Sequence, residues 1–338
     1  MHIIAADVGG TKTRLAFADS ETPRKVLHEA RYLSGGFDSF EPMLQTFIED
    51  CGSVCERVDT LSLALPGLVN EASARLTNLP WIIEKQKLRE EFGVENVYFM
   101  NDFQASAFGT DQLEEQDRII LNPGIIDPDN QKINTTRVAV GAGTGLGVAW
   151  ADDDVKGGKR AARSHDTEGG HIDFAPTDDT QIELLKFLQK RFDHVSYERI
   201  LSGDGLVSLY QFFADRHGSA DRHESKDQSD VLSAQWVNDR SEVDELADRA
   251  LSLFVQIYGA YIGNIALLYK PYGGIFITGG IAAKILKKMQ SEVFINAYLN
   301  KGRMRSLVEQ ITVYLVINDR VGVLGAISEA VKMQNKKM

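Results

Sequence analysis

Ala5-Ala6-Asp7-Val8-Gly9-Gly10-Thr11-Lys12-Thr13, close to the start of the chain, and Val138-Ala139-Val140-Gly141-Ala142-Gly143-Thr144-Gly145-Leu146-Gly147, near its middle, decide the fold. In each, an apolar strand runs into glycines and a hydroxyl residue, then into a second apolar run. Glycine allows positive φ and close backbone approach, so consecutive N–H groups can converge on phosphate oxygens. One such turn is ordinary loop geometry. Two in one chain predict two clamps on one polyphosphate and a duplicated lobe. Neither turn is a Walker loop, because the Gly-Lys-Ser/Thr ending is missing, and neither is a Gly-x-Gly-x-x-Gly that opens a helix.

The rest of the chain has the composition of an ordinary globular protein. Its 338 residues, 43% of them hydrophobic and 25% charged, are enough for about two lobes around sizeable cores. The net charge of −11 argues against a nucleic-acid surface, which needs clustered Lys and Arg. It leaves nucleotide binding open, since backbone N–H groups and a metal ion can supply the positive field. No stretch approaches 18 uninterrupted apolar residues, and the N-terminus enters a strand without a basic-then-apolar signal, so the expected location is cytoplasmic with no membrane partner. The two cysteines, Cys51 and Cys55, are four residues apart. They are too few for a structural zinc site and are expected to be free thiols rather than a disulfide.

Strands are predicted over 2–8, 13–19 and 25–32, an amphipathic helix over 40–55, then strands over 60–65 and 96–100. This mixture fits an α/β lobe with a mixed sheet. From Val138 the pattern restarts. Helices are predicted over 181–191, 205–216 and 241–268, the last of them central, then strands over 274–278 and 311–316 and a closing helix over 323–331. The polar stretch 217–229 reads as a surface loop and 335–338 as a frayed tail.

Several residues carry chemistry beyond the turns. Asp7 ends a buried strand, where a carboxylate needs a partner, and a hydrated Mg²⁺ would supply one. Thr11, Thr13 and Thr144 offer hydroxyls and Lys12 a charge. Asn101-Asp102 ends the strand Val97–Met100, at the carboxyl edge where α/β sheets collect ligands, although Asp102 could equally cap a helix from Phe103. Glu168-Gly169-Gly170-His171 places a carboxylate and an imidazole around two glycines, a pairing suited to adjacent sugar hydroxyls. Glu198 opens another apolar segment. Asn78 lies on a loop with Trp81, which is either a sugar contact or core. Gly279-Gly280 form a third glycine corner after a strand, able to pass beside a purine.

Taken in order, Asp7-Val8-Gly9-Gly10-Thr11, Thr77-Asn78-Leu79-Pro80-Trp81, Asn101-Asp102-Phe103, Gly143-Thr144-Gly145-Leu146-Gly147, Glu168-Gly169-Gly170-His171-Ile172-Asp173-Phe174-Ala175-Pro176, Tyr197-Glu198-Arg199-Ile200-Leu201-Ser202-Gly203 and Gly279-Gly280-Ile281 resemble the bacterial-type glucokinase family, from residue 3 to about 330. The resemblance implies a two-lobed actin-like ATPase (ribonuclease H-like) α/β fold with ATP and glucose in the cleft. The expected lobes are a small domain of 1–104 plus 318–338 and a large domain of 105–317, assembled as a homodimer. It implies Asp102 as catalytic base toward the sugar 6-hydroxyl. Asn78, Asn101, Glu168, His171 and Glu198 hold the other hydroxyls. Asp7 with Gly9, Gly10, Thr11, Lys12 and Thr13 forms the Mg²⁺ and phosphate element, with Asp7 reaching the metal through water. Gly143, Thr144 and Gly145 form the second phosphate element, and Gly279 and Gly280 the adenosine element.

Two departures stand out. Lys12 occupies a place where many relatives carry Asn. The related repressor–kinase branch has a zinc-binding cysteine cluster, whereas no cysteine follows Cys55, and no helix-turn-helix is expected before residue 3. The competing readings are a kinase for another hexose (mannose, fructose or an amino sugar) and a non-catalytic sugar sensor.

Overall fold

The computed structural model describes residues 1–125, 135–156, 159–217 and 232–336, which form two compact units. The first comprises 1–117, 149–166 and 318–338, and the second 118–148 and 167–317. This division departs from the sequence boundary at 104/105, since residues 105–117 and the strand pair at 149–166 group with the first unit. All but His217 of the predicted polar loop lies outside the described residues, as do the last two residues of the predicted tail.

The first unit is built on β1 (His2–Val8), β2 (Lys12–Asp19), β3 (Val26–Leu33), β4 (Thr60–Leu65) and β8 (Asn96–Asn101), in the order β3-β2-β1-β4-β8. β1 pairs antiparallel with β2 and parallel with β4, which pairs parallel with β8. Alternation along β1 sends Ile4, Ala6 and Val8 to one face and Ile3 and Ala5 to the other. Helix α1 (Phe40–Cys51) covers the first face with Phe40, Met43, Leu44 and Phe47. The second face is covered by α3 (Asp102–Gly109) and by Val323, Ala326, Ile327 and Ala330 of the C-terminal helix. With both faces covered, the central strands are buried almost throughout, which is why they read as continuous apolar runs. A small sheet of β5 (Leu68–Val69), β6 (Ser73–Arg75) and β7 (Ile82–Glu84), followed by α2 (Lys85–Phe92), carries the Asn78 loop. Trp81 is 2% exposed in the core, which settles its role as packing.

The predicted helix 40–55 breaks at Gly52, whose φ of +57° ends α1; a 3-10 turn over Gly52–Cys55 then folds Cys55 back on Cys51. The two cysteines, each 5% exposed and with Cα atoms 5.6 Å apart, form a disulfide. The expectation of free thiols is therefore overturned, because the turn brings together side chains that a continuous helix would leave stacked but unbonded.

The second sheet has β9 (Arg118–Asn122), β10 (Arg137–Ala142), β11 (Leu146–Lys156), β12 (Lys159–Thr167), β13 (Gly274–Thr278) and β14 (Val313–Val316), in the order β12-β11-β10-β13-β14-β9. Without the antiparallel edge strand β9, this order repeats that of the first sheet, strand for strand. The duplication read from the two glycine turns is thus present in the strand order. Around this sheet lie α4 (Asp179–Gln189), α5 (Gly203–Arg216), α6 (Ala234–Arg240), α7 (Glu245–Tyr269), α8 (Gly280–Lys284) and α9 (Glu292–Leu299). The chain closes with α10 (Val321–Asn335) in the first unit.

Helix α7 starts at its Asp244 cap rather than at Ser241, with the Asp244 carboxylate accepting from the Leu246 and Ala247 N–H groups. It is long and apolar enough to cross a membrane by length and composition, but 72% of its most apolar window is buried inside the protein. Gly259 and Gly263 let its backbone approach the Phe294 and Tyr298 carbonyls of α9, where a Cβ would collide.

Candidate active site

The first glycine turn joins β1 to β2 and is closed by the Gly9 N–H donating to the Lys12 carbonyl at 3.0 Å. A Cβ on Gly9 would stand 2.7 Å from that carbonyl, and one on Gly10 2.8 Å from Cβ of Asn78, so the Asn78 loop lies directly against the turn. Thr11 and Lys12 are exposed on its open side. Thr13 is fully buried: its hydroxyl pairs with the Ser34 hydroxyl at 3.0 Å, and Ser34 Oγ donates to the Gly9 carbonyl at 2.7 Å. Thr13 therefore braces the turn from beneath instead of lining its open side. Ser34 is a supporting residue that nothing in its local sequence marks.

Asp7 sits at the end of β1, below this turn. Burial, first, and then the Asp102 carboxylate push its carboxyl from the ordinary 3.8 up to about 7; Arg14 opposes the rise and Asp319 adds to it. Gly322 in the first turn of α10 is so close that a Cβ there would collide with the Asp7 carboxylate. Arg14, 8% exposed at its side chain, bonds Glu29 and reaches Asp319 at 2.7 Å; Arg31 holds the other Asp319 oxygen at 2.8 Å, and Arg320 holds Glu29 at 2.7 Å.

A carboxylate pushed up by burial, and further by its carboxylate neighbours, is one that a cation would relieve. Among the described residues no three His, Cys, Asp or Glu side chains are placed to cage a metal ion. Mg²⁺ needs no such cage, since it keeps several waters and takes one or two carboxylates together with substrate phosphates. The donor set around Asp7 fits that habit.

Asp102 is the first residue of α3, and the helix cap belongs to its neighbour. Asn101 Oδ1 accepts from the Phe103 and Gln104 N–H groups, at 2.9 and 3.3 Å, while the Gln104 side chain accepts from the Asn101 N–H at 3.1 Å. This reciprocal box fixes the strand-to-helix corner on which Asp102 stands. Asp102 Oδ1 in turn accepts from the Phe103 N–H at 2.9 Å.

The second unit brings Glu168, His171 and Glu198 together. His171 lies between the two carboxylates, with Nε2 3.7 Å from Glu168 Oε2 and Nδ1 3.8 Å from Glu198 Oε1. Their side chains are 88, 58 and 28% exposed in sequence order, so the cluster opens to solvent at Glu168 and is anchored at Glu198. Gly170 packs on the Leu146 carbonyl, where no side chain fits, and Tyr261 donates to the Gly169 carbonyl at 2.8 Å. The second glycine turn therefore underlies the segment that carries Glu168 and His171. Within that turn the Gly143 N–H donates to the Gly145 carbonyl at 2.8 Å, and Tyr258 accepts from the Ala142 N–H at 3.2 Å. Thr144 is exposed, as are Gly279 and Gly280 at the corner after β13. Gly279 has φ of +85° and no room for a Cβ against the Ala142 carbonyl, so glycine is required there. An open groove of about 700 Å³ in the second unit, lined by Gln256, Asn296, Asn300 and Arg305, contains none of these residues.

The chain is 34% identical to a glucokinase of Nostoc punctiforme over 346 residues, covering 96% of this chain and 97% of that one. Its fold superposes on a glucokinase from an Antarctic psychrotroph with a TM-score of 0.79 at 26% identity, covering 99% of each. It also superposes on a ROK family glucokinase from Streptomyces griseus, solved in complex with glucose and AMPPNP, with a TM-score of 0.63 at 18% identity over 97% of this chain and 99% of that one. The family model for glucokinase matches residues 4–333, and with that match the chain belongs to the glucokinase family.

Proposed function

We propose that this protein transfers the γ-phosphoryl group of ATP to the 6-hydroxyl of glucose. The observation that carries the proposal is the Glu168–His171–Glu198 cluster, a carboxylate–imidazole–carboxylate set partly open to solvent, in a chain of the glucokinase family. Two carboxylates and an imidazole can accept from and donate to neighbouring hydroxyls. A site built this way rejects a sugar whose hydroxyl is misplaced, because its own polar groups are then left unpaired.

Asp102 accepts the proton of the 6-hydroxyl as that oxygen forms its bond to the γ-phosphorus. The bond from the γ-phosphorus to the bridging oxygen breaks, and ADP leaves with the electron pair. Asn78, Asn101, Glu168, His171 and Glu198 hold the sugar. Gly9, Gly10, Thr11 and Lys12 face the phosphates from the first turn, Gly143, Thr144 and Gly145 from the second, and Gly279 and Gly280 pass beside the adenosine. Mg²⁺, when bound through water at Asp7, supplies positive charge to the β- and γ-phosphates. α7, mostly buried, packs as the core helix of a globular protein; a cytoplasmic location is the expectation from the sequence, and a homodimer the one from the family resemblance.

The test is ADP release with Mg-ATP across a panel of hexoses, beside Asp102→Asn. Glucose-selective turnover that falls by at least about 100-fold in the variant supports the proposal. Selective turnover of another hexose keeps the chemistry and replaces the substrate. Absence of turnover with every sugar, from folded protein, refutes it in favour of a sugar sensor.

A further inference from the structure

The family resemblance gives the second glycine turn to phosphate, and its hydrogen bonds add a second partner, Glu198. The Leu146 N–H, at the end of the turn, donates to Glu198 Oε2 at 2.9 Å. Gly145, one residue earlier, lies flat against the same carboxylate: a Cβ there would stand 2.5 Å from Oε2 and 3.2 Å from the carboxyl carbon. The segment that carries Glu198 is tied down on both sides, by Tyr197 N–H to the Ile172 carbonyl at 3.1 Å and by Gly203 N–H to the Gly143 carbonyl at 2.9 Å. With Oε2 engaged by the backbone, Oε1 is the oxygen turned toward His171.

From this geometry we infer that Gly145 and the Leu146 N–H are positioning groups for the sugar-binding carboxylate Glu198, so that a turn assigned to the nucleotide also sets the affinity for the sugar. The inference rests on the proposed role of Glu198 toward glucose. A carboxylate held by one backbone N–H presents one oxygen in one orientation. A methyl group at residue 145 removes that orientation by displacing Oε2 from the Leu146 N–H. Gly143, in the same turn, is a natural comparison, because a Cβ there meets nothing within 4 Å.

The experiment measures equilibrium binding of glucose without nucleotide, and of AMPPNP without sugar, by calorimetry on the full chain. Losing a charge-assisted hydrogen bond predicts a rise of about 10- to 100-fold in the glucose Kd of Gly145→Ala. AMPPNP affinity should change by a smaller factor than glucose affinity, and Gly143→Ala, whose Cβ meets nothing within 4 Å, should shift the glucose Kd less than Gly145→Ala does. In steady state Gly145→Ala should raise the KM for glucose far more than it lowers kcat. Glu198→Gln separates the two levels of the argument. If Glu198→Gln weakens glucose binding and Gly145→Ala does not, this inference fails and the sugar role of Glu198 stands. If Glu198→Gln binds glucose like the parent, the sugar role fails and takes the inference with it. Loss of AMPPNP binding in Gly145→Ala with glucose binding intact also overturns it. Should Gly145→Ala not fold, the double variant Gly145→Ala/Glu198→Asp shortens the obstructing side chain. Folding with the glucose affinity of Glu198→Asp alone supports the inference; failure to fold shows that Glu198 is not what constrains Gly145 and refutes it.

Discussion

Replacing Arg14 by Met tests whether the charge network under the first turn is structural in the way its geometry implies. The guanidinium bonds Glu29 and holds Asp319 at 2.7 Å, with the Arg14 side chain 8% exposed and Glu29 14% exposed. Severing a buried pair by removing one partner costs about 3–5 kcal/mol, because the remaining charge stays buried without compensation. Here Glu29 keeps Arg320 at 2.7 Å, and Met fills much of the volume of the Arg stem, so the low end applies: about 3 kcal/mol. At 2–4 °C per kcal/mol for a unit of about 150 residues, the melting temperature should fall by about 6–12 °C, read by circular dichroism in the absence of ligands. Asp319→Asn is the matched control. Its side chain is 62% exposed, so loss of the same contact from that end should cost less than about 1 kcal/mol. If the two variants melt within about 2 °C of each other, the cost is not that of a stranded buried charge and the reasoning is refuted. Arg14 is also the group that opposes the rise of the Asp7 carboxyl, so its removal should drive that carboxyl further up.

Three further outcomes follow from local geometry. Asn101→Ala removes the side-chain half of the capping box at the start of α3 and should cost about 1 kcal/mol in thermal unfolding; an unchanged melting temperature would show that the corner is held by packing alone. Glu41, 3% exposed, is pushed up by burial but held below its ordinary 4.5 by the Ser39 hydroxyl and by Lys87 at 2.9 Å. Its folded value is depressed, so its contribution is present above the unfolded value and lost as pH falls through the folded one. The stability gap between the parent and Glu41→Gln should therefore be flat above about pH 5.5 and shrink on acidification below 4.5, and a gap that does not narrow in acid would refute the depressed value. Thiol titration of denatured, unreduced protein should find no free thiol and, after reduction, two; two free thiols before reduction would remove the Cys51–Cys55 bond.

The parts of the fold that the sequence announces are those whose pattern is local. β1, β4 and β13 are short apolar runs that end in glycine or proline, and each is a strand buried almost throughout. α2 gives no such signal: in Lys85–Phe92 only Leu88 is buried, so no apolar stripe marks it. The helix predicted over 40–55 overshoots because apolar spacing continues past Gly52, while the helical backbone stops at that glycine. The site divides along the same line. Asp102, Glu168, His171 and the glycine turns stand in compact motifs. Ser34 supports a turn 25 residues away, Arg14 meets a carboxylate 15 residues away in Glu29, and Asp319 reaches Arg14 across nearly the whole chain. No local window contains those pairings, so only the folded sheet reveals them.

The supporting contacts bear on how a glycine turn can bind an anion at all. Glycine gives each turn its close approach but leaves it loose, and a loose ring of N–H groups loses affinity through ordering. In both turns the looseness is removed from below. The Gly9 N–H closes the first turn on Lys12, while Ser34, itself paired with Thr13, holds the Gly9 carbonyl. The Gly143 N–H closes the second on Gly145, and the Leu146 N–H is taken by Glu198. These bonds consume donors that a bare motif would credit to phosphate. The Thr11 and Thr144 side chains are exposed on the two turns, where the proposed function has them meet the phosphates. Each turn gives up part of its donor set to fix the rest, and in the second the donor given up is the one that sets Glu198.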